Sequence, residues 1–269
     1  MKKTVCMLAV VCAVCAALFG QSAEDLVLSG ITHSKNRDYD RSIADFTGAI
    51  RLKPDFAEAY SGRASVYVLK GDYDKAVADY TEAIKLNFRL AEVYFFRGGA
   101  YYYQNDFDNA IADLTAAIKL NTPHTEAYSF RGIAYLEKKD YEKAVADFTE
   151  LIKREPNNAM AYHLRGKAYL NQDNYGKAIA DFTGEIKLNP QSTEGYYLRG
   201  TAYMYQNDFD KAIADLTGAI KLNPRYAEAY LYRGIAYAYR NDNDKAVADL
   251  DEAVRIDPRL ADVIAELLE

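Results

Sequence analysis

The stretch that decides the fold spans residues 57–90 and has the sequence AEAYSGRASVYVLKGDYDKAVADYTEAIKLNFRL. In its first half, Tyr60, Ala64 and Tyr67 recur at the spacing that places side chains on one face of a helix. Gly71 and Asp72 then interrupt the pattern. A second apolar stripe follows at helical spacing, formed by Ala76, Tyr80, Ala83 and Ile84. The stretch therefore predicts two helices joined by a short turn.

This 34-residue pattern occurs seven times in succession, without an insertion or a deletion. The predicted repeats are residues 23–56, 57–90, 91–124, 125–158, 159–192, 193–226 and 227–260. Each repeat has an Asp or Asn where its second helix needs an N-cap: Asp38, Asp72, Asp106, Asp140, Asn174, Asp208 and Asp242. Residues 261–269 predict a short C-terminal capping helix, because a terminal repeat must cover its apolar side.

A single helical hairpin of this length cannot bury its apolar face alone, so neighbouring copies must cover one another. The pattern Tyr-x-x-x-Gly/Ala-x-x-Tyr, then Asp-Tyr-x-x-Ala, then Phe/Tyr-x-x-Ala and a proline, resembles the tetratricopeptide repeat. The resemblance covers residues 23–260. It implies an all-α fold, a right-handed superhelical solenoid of seven helix-turn-helix repeats with a concave groove lined by the first helices. It also implies a protein-binding scaffold.

One position departs from the family pattern. The seventh residue of the repeat, often Leu in this family, is Arg in six repeats, beginning with Arg63. An Asp recurs in every second helix, beginning with Asp45. A helical wheel turns each Asp toward the next repeat, which predicts ion pairs between neighbouring repeats. The predicted pairs are Asp45 with Arg63, Asp79 with Arg97, and so on to Asp215 with Arg233.

Charge and histidine placement argue against several functions. The formal net charge of −6 disfavours binding to nucleic acid or to anionic lipid surfaces. His33, His124 and His163 fall at different points of the repeat, and the three cysteines all precede residue 16. We therefore expect no enzyme activity, no metal site and no cofactor.

The N-terminal segment predicts export. Lys2 and Lys3 precede an apolar run at residues 5–19, and small and polar residues follow it. This order is typical of a secretory signal peptide, and the run is shorter than a membrane-spanning helix needs. We expect residues 1–22 to be removed, leaving no integral membrane segment. The mature chain would lie in the periplasm or cell envelope, or be secreted.

Tyrosine usage indicates a binding surface. The chain has 24 tyrosines and no tryptophan, and most tyrosines occupy framework positions, meaning positions filled alike along the repeats. Other side chains fall on the groove side of the helical wheel, where a protein or peptide partner is expected. This predicted site comprises Phe95, Tyr102, Tyr103, Leu136, His163, Leu170, Tyr197, Met204, Tyr205 and Tyr239. Some of these could instead pack against neighbouring first helices.

Two functions remain open at this stage. The first is a non-catalytic scaffold or adaptor of the cell envelope that binds a partner segment in the groove. The alternative is a transport-associated protein that binds a small ligand or forms rings. A homo-oligomer is compatible with both.

Export is directly testable. We expect the native protein to begin between Gln21 and Glu24, because the small and polar residues that follow the apolar run are typical of a cleavage site. N-terminal sequencing of the protein from its own cells measures this. A chain that keeps Met1 and fractionates with the cytosol would contradict the prediction.

Overall fold

The computed structural model describes residues 21–268, and within this range every regular element is a helix. Residues 1–20, which make up most of the predicted signal peptide, lie outside the described residues. The helices are α1 Ala23–Lys35, α2 Tyr39–Leu52, α3 Ala57–Lys70, α4 Tyr73–Lys85, α5 Leu90–Tyr103, α6 Phe107–Lys119, α7 Glu126–Glu137, α8 Tyr141–Arg154, α9 Ala159–Asn171, α10 Tyr175–Leu188, α11 Thr193–Tyr205, α12 Phe209–Leu222, α13 Ala227–Tyr239, α14 Asn243–Ile256 and α15 Leu260–Leu268.

The chain divides into two compact units, Met1–Ala127 and Tyr128–Glu269. In the first unit, α1–α2, α3–α4 and α5–α6 form hairpins, and each hairpin packs on the next. In the second unit, α9–α10, α11–α12 and α13–α14 do the same, and α15 packs on α14. The prediction of an all-α array of helix-turn-helix repeats is confirmed. Among residues 21–268, no helix combines the length and the apolar character needed to cross a bilayer.

Local capping explains where the second helices begin. Asp72 accepts a hydrogen bond from the Lys75 backbone N–H at 3.4 Å, and equivalent bonds cap five other second helices. The confirmed N-caps are Asp38, Asp72, Asp106, Asp140, Asn174 and Asp208. At Asp242 the carboxylate accepts from the Lys245 ammonium instead. Just before the cap the chain turns through a left-handed residue, which is Gly71 in one repeat (φ +76°).

A large side chain from the second helix fills the hairpin in each of repeats one to six. These side chains are almost completely buried: Phe46, Tyr80, Leu114, Phe148, Phe182 and Leu216. The facing residue on the first helix must then be small. At Gly166 an added Cβ would lie 2.7 Å from Phe182 Cε1, closer than carbon atoms can approach. This alternation of large and small residues sets the close approach of the paired helices.

The framework arginines hold the hairpins together. Arg165 Nε and Nη2 donate to the two carboxylate oxygens of Asp181 at 2.8 and 2.7 Å. Arg165 Nη1 donates to Thr149 Oγ1 of the preceding repeat at 3.0 Å. Hydrogen bonding to Asp181 raises the pKa of Arg165, so the guanidinium stays charged. The same-repeat pairs are Arg63–Asp79, Arg97–Asp113, Arg131–Asp147, Arg165–Asp181, Arg199–Asp215 and Arg233–Asp249.

The predicted pairing between neighbouring repeats is therefore wrong. Two residues along a helix turn a side chain by about 200°, so Asp45 and Thr47 point to different neighbours. Thr47 accepts from Arg63 of the next repeat at 2.9 Å, in the place expected for Asp45. Asp45 faces its own first helix, where Ser29 Oγ and His33 Nδ1 both lie 2.7 Å from its Oδ2. Serine and histidine thus replace arginine in the first repeat.

Removing one arginine tests this arrangement. We expect Arg165→Leu to destabilise the chain by about 2–4 kcal/mol, because it leaves Asp181 buried without its partner. The measurement is the urea midpoint followed by circular dichroism. Lys211→Ala is the matched control, since its pair with Asp208 is largely exposed and should leave the midpoint unchanged. Equal shifts for the two variants would contradict a structural role for the arginine.

Candidate functional site

The ten side chains predicted to line a groove differ widely in exposure. Phe95 and His163 are buried, with 8% and 7% of their surfaces exposed. Tyr103, Tyr205 and Tyr239, here called the seam tyrosines, are 51%, 55% and 67% exposed. The remaining five are half-buried: Tyr102, Leu136, Leu170, Tyr197 and Met204. The seam tyrosines are therefore the most accessible members of the predicted site.

Each seam tyrosine stacks on an aromatic ring of the preceding repeat. Tyr205 lies on Tyr175 with ring centroids 4.9 Å apart and planes 12° apart. Tyr239 lies on Phe209 at 4.8 Å and 4°. In the first unit, Tyr103 lies on Tyr73 at 5.3 Å and 14°. The sequence left open packing against neighbouring first helices, but the helix that covers one face of each ring is a different one. The neighbour is the start of a second helix.

His163 and Phe95 occupy structural positions. His163 Nδ1 lies 2.9 Å from Glu185 Oε2, and the other oxygen of Glu185 accepts from the Ser192 hydroxyl. Ser192 in turn accepts from the Gly195 N–H and so caps α11. Phe95, in the first unit, stacks on His124 at 4.3 Å. Both side chains are held by the protein, which leaves little of either for a partner.

In the second unit, a depression of about 430 Å³ lies among tyrosines of repeats five to seven. We call it the tyrosine pocket. It is lined by Leu170, Asn171, Asp173, Tyr175, Tyr197, Leu198, Thr201, Tyr205 and Tyr232. Three of these belong to the predicted site, namely Leu170, Tyr197 and Tyr205.

A second depression, of about 290 Å³, lies next to the first; we call it the apolar pocket. It is lined by Met204, Tyr205, Asn207, Phe209, Tyr232, Ile235 and Tyr239. Tyr205 and Tyr232 belong to both linings, so the two pockets are neighbours that share these two side chains. The structure therefore brings five predicted residues together here: Leu170, Tyr197, Met204, Tyr205 and Tyr239.

A half-buried cluster of tyrosines supports the wall between the pockets. The Tyr197 ring lies 4.9 Å from Tyr226 and 5.7 Å from Tyr232. Burial raises the pKa of Tyr197, and it raises the pKa of Tyr226 to about 12. These phenols therefore stay neutral at any physiological pH. Tight packing on its neighbours makes this wall rigid.

Sequence reasoning missed Tyr175, Phe209 and Tyr232. Tyr175 and Phe209 open second helices, a position with an obvious framework role. Tyr232 is the sixth residue of its repeat. It adjoins the fifth position, which supplies the predicted residues Phe95, His163 and Tyr197, but it falls on a different part of the helical wheel. The stack of Tyr175 on Tyr205 joins residues thirty positions apart. Only a comparison of adjacent repeats for aromatic residues at both positions could have indicated it.

The first unit has a different surface at the corresponding place. A depression of about 520 Å³ is lined by Lys70, Gly71, Asp72, Tyr73, Asp74 and Gln104. Tyr73 is its single aromatic ring, and both signs of charge are present. Among the described residues, no group of three or more His, Cys, Asp or Glu side chains is placed to hold a metal ion.

Comparisons with known proteins agree with the repeat pattern. The family model described as Tetratricopeptide repeat matches residues 28–91, 97–150, 131–193 and 197–261. No curated protein matches the chain by sequence. A similar solved structure is the C-terminal part of a TPR repeat-containing protein from Cytophaga hutchinsonii, with 21% identity and a TM-score of 0.76. The similarity covers 89% of this chain and 98% of that one.

Two further solved structures are similar over a smaller part of this chain. MamA protein has 25% identity and a TM-score of 0.60, covering 64% of this chain and 94% of its own. YrrB, described as a TPR protein with an unusual peptide-binding site, has 21% identity and a TM-score of 0.64. That similarity covers 68% of this chain and 95% of YrrB.

Substitutions in the tyrosine pocket should show which side chains stabilise the fold and which mainly present an exposed surface. We expect Tyr197→Ala to cost about 3 kcal/mol of unfolding free energy, because it removes a ring packed on two others. Tyr205→Ala should cost much less, because more than half of that side chain is exposed. Urea midpoints of the two variants give the comparison. A larger loss for Tyr205→Ala would mean that the seam stack is the main support of this surface.

Proposed function

Because the chain belongs to the tetratricopeptide repeat family, whose arrays are general protein-interaction scaffolds, we propose that it is a non-catalytic adaptor of the cell envelope. Its partner is a polypeptide segment that lies across the tyrosine pocket and the apolar pocket. The observation that carries the proposal is that these two aromatic depressions lie side by side and share Tyr205 and Tyr232. A row of pockets on successive repeats suits successive side chains of an extended chain.

The residue types support a binding role. Tyrosine offers a large contact area with few rotamers to restrict, and aromatic anchors dominate the energy of many interfaces. The seam position is free to vary, since it holds Leu69, Glu137 and Asn171 in other repeats. The fold does not require an aromatic residue there. Partner recognition is a reason for exposed tyrosines to be present in repeats three, six and seven.

The proposed location rests on the N-terminal segment. Residues 1–22 have the basic, apolar and small-residue order of a secretory signal, which supports the cell envelope or the medium as the site of action. The proposed lack of catalysis rests on how the carboxylates are used. Six framework aspartates are engaged by arginines, Asp45 is engaged by Ser29 and His33, and Glu185 is engaged by His163 and Ser192.

The size of the pockets also favours a second candidate. Small-molecule sites commonly enclose about 300–1,000 Å³, and the tyrosine pocket has about 430 Å³. A transport-associated protein that binds a small ligand, or that assembles into rings, is therefore the alternative. Such a ligand would occupy one pocket, whereas a polypeptide segment would use both.

Affinity capture with matched variants distinguishes these candidates. The bait is the purified chain, the source is an envelope extract, and bound proteins are identified by mass spectrometry. We expect Tyr205→Ala with Tyr239→Ala to lose partners that the unchanged chain retains. Two aromatic anchors of at least 2 kcal/mol each correspond to about a 10³-fold loss of affinity.

The control is Val247→Ala, which removes apolar surface of a residue that is 57% exposed on the second helix α14. This variant should keep every partner. Partners that survive the double tyrosine change, with helicity and urea midpoint near those of the unchanged chain, would place the binding surface elsewhere.

A further inference from the structure

We propose that the tyrosine pocket binds the guanidinium group of an arginine in the partner segment, while the apolar pocket takes an adjacent apolar side chain. The inference rests on the proposed function and specifies the chemistry of the partner. Four tyrosine rings line the tyrosine pocket: Tyr175, Tyr197, Tyr205 and Tyr232. The face of an aromatic ring is electron-rich and attracts organic cations, most often arginine.

The charges in the lining favour a cation. Asp173 is the single charged side chain of the tyrosine pocket, and no Lys or Arg lines it. Lys167, on the same helix as Leu170 and Asn171, is directed to Glu194, with Nζ 3.4 Å from Oε1. The chain as a whole is acidic, with a formal net charge of −6. The pocket is therefore complementary to a positively charged group.

Three polar groups of the lining already donate within the protein, which leaves acceptors for a ligand that donates. The Tyr175 hydroxyl donates to Asp173 Oδ1 at 2.7 Å. Thr201 Oγ1 donates to the Tyr197 carbonyl at 2.9 Å, and Asn171 Nδ2 donates to the Lys167 carbonyl at 2.8 Å. These donors are used within the protein, whereas the Asp173 carboxylate and the Asn171 amide oxygen retain acceptor capacity. Guanidinium has five N–H donors and no acceptor, and its flat shape stacks on aromatic rings.

The position of Asp173 in the repeat gives independent support. Its backbone is left-handed, with φ +55°. The equivalent residues of repeats three, six and seven are Asn105, Asn207 and Asn241, which have the same conformation. The turn therefore does not require a carboxylate, since asparagine adopts this conformation readily. Repeat five, whose turn borders the four tyrosines, is the repeat that has Asp at this position.

The apolar pocket differs from the tyrosine pocket in charge and in polarity. Its turn residue is Asn207 in place of Asp173, and its lining contains no charged side chain. Met204, Ile235 and Tyr239 give it an apolar surface. The pair of pockets therefore favours a segment that presents an arginine beside an apolar or aromatic residue, and an acidic segment would be rejected.

The test uses synthetic peptides and the full chain. An array of extended peptides presents one arginine and one phenylalanine separated by zero to four residues, in both orders. A matched array has citrulline, which keeps the shape of arginine without its charge. Affinities of bound peptides are then measured by titration calorimetry. We expect arginine peptides to bind at least about tenfold more tightly than their citrulline partners, a typical worth of a desolvated cation on aromatic rings.

Asp173→Asn should reduce that difference, because it removes the carboxylate charge and leaves the four tyrosine rings in place. The substitution keeps the size of the side chain and suits the left-handed backbone, so the fold should be unaffected. Asn207→Asp is the matched control, because it adds a carboxylate to the apolar pocket and leaves the tyrosine pocket unchanged. That variant should keep the preference for arginine over citrulline. Arginine amide alone, as a further probe, should bind far more weakly than the peptides.

The outcomes separate this inference from the proposed function. Equal binding of arginine and citrulline peptides, with loss of both in the Tyr205→Ala and Tyr239→Ala variant, overturns the cation site and leaves the adaptor intact. Arginine amide binding as tightly as the peptides overturns a polypeptide source and favours a small cationic ligand. An array that binds nothing also overturns the inference. The proposed adaptor function is also contradicted only if affinity capture from the envelope extract recovers no partner.

Discussion

The rest of the described structure depends on the hydrogen bonds made by the arginine at the seventh position of the repeat. In the pair Arg165–Asp181, a bidentate bond joins the two helices of one hairpin. The third nitrogen of the same guanidinium bonds Thr149 of the preceding hairpin. The bond to a threonine of the preceding repeat recurs at Arg63, Arg97, Arg199 and Arg233. A buried charge is tolerated only when it is paired and hydrogen-bonded, so this one group requires both partners to stay in place.

The arginines also give a physical reason for the abundance of tyrosine. The Arg97 guanidinium carbon lies 5.6 Å from the centre of the Tyr94 ring and 5.8 Å from that of Tyr101. Tyr94 and Tyr101 are separated from Arg97 by three and four residues, so all three share one face of α5. Rings flanking a cation contribute electrostatic attraction as well as packing. Leucine at the seventh position could pack on these rings but carries no charge for them to attract, whereas arginine gains both packing and cation–π attraction from an aromatic residue on each side.

The sequence predicts a feature of this molecule well when residues close together in the chain determine it, and poorly when distant residues do. Helix positions and N-caps such as Asp72 follow from residues a few positions apart, and these predictions are confirmed. The predicted partner of Asp45 was wrong because the helical wheel was oriented incorrectly: Asp45 faces its own first helix, and Thr47, two residues further on, faces the next repeat. His163 has the spacing of a groove residue, yet Glu185 lies 22 residues further on and holds it in the interior. Tyr175 and Tyr205 meet only because adjacent repeats stack, which no single helical pattern encodes.

The residues that recur along the repeats determine the framework, and the other positions are free to differ. The tyrosine pocket depends on this division between framework and variable positions. Tyr205 contacts Tyr175 with one face of its ring, which adds to the stacking of repeats, and more than half of its surface is still exposed. The rigid backing of Tyr197, Tyr226 and Tyr232 means that little conformational entropy remains to be lost when a partner binds. The shape and charge of this surface can therefore change with single side chains at the turn and seam positions. Such changes leave the arginine pairs, and with them the fold, undisturbed.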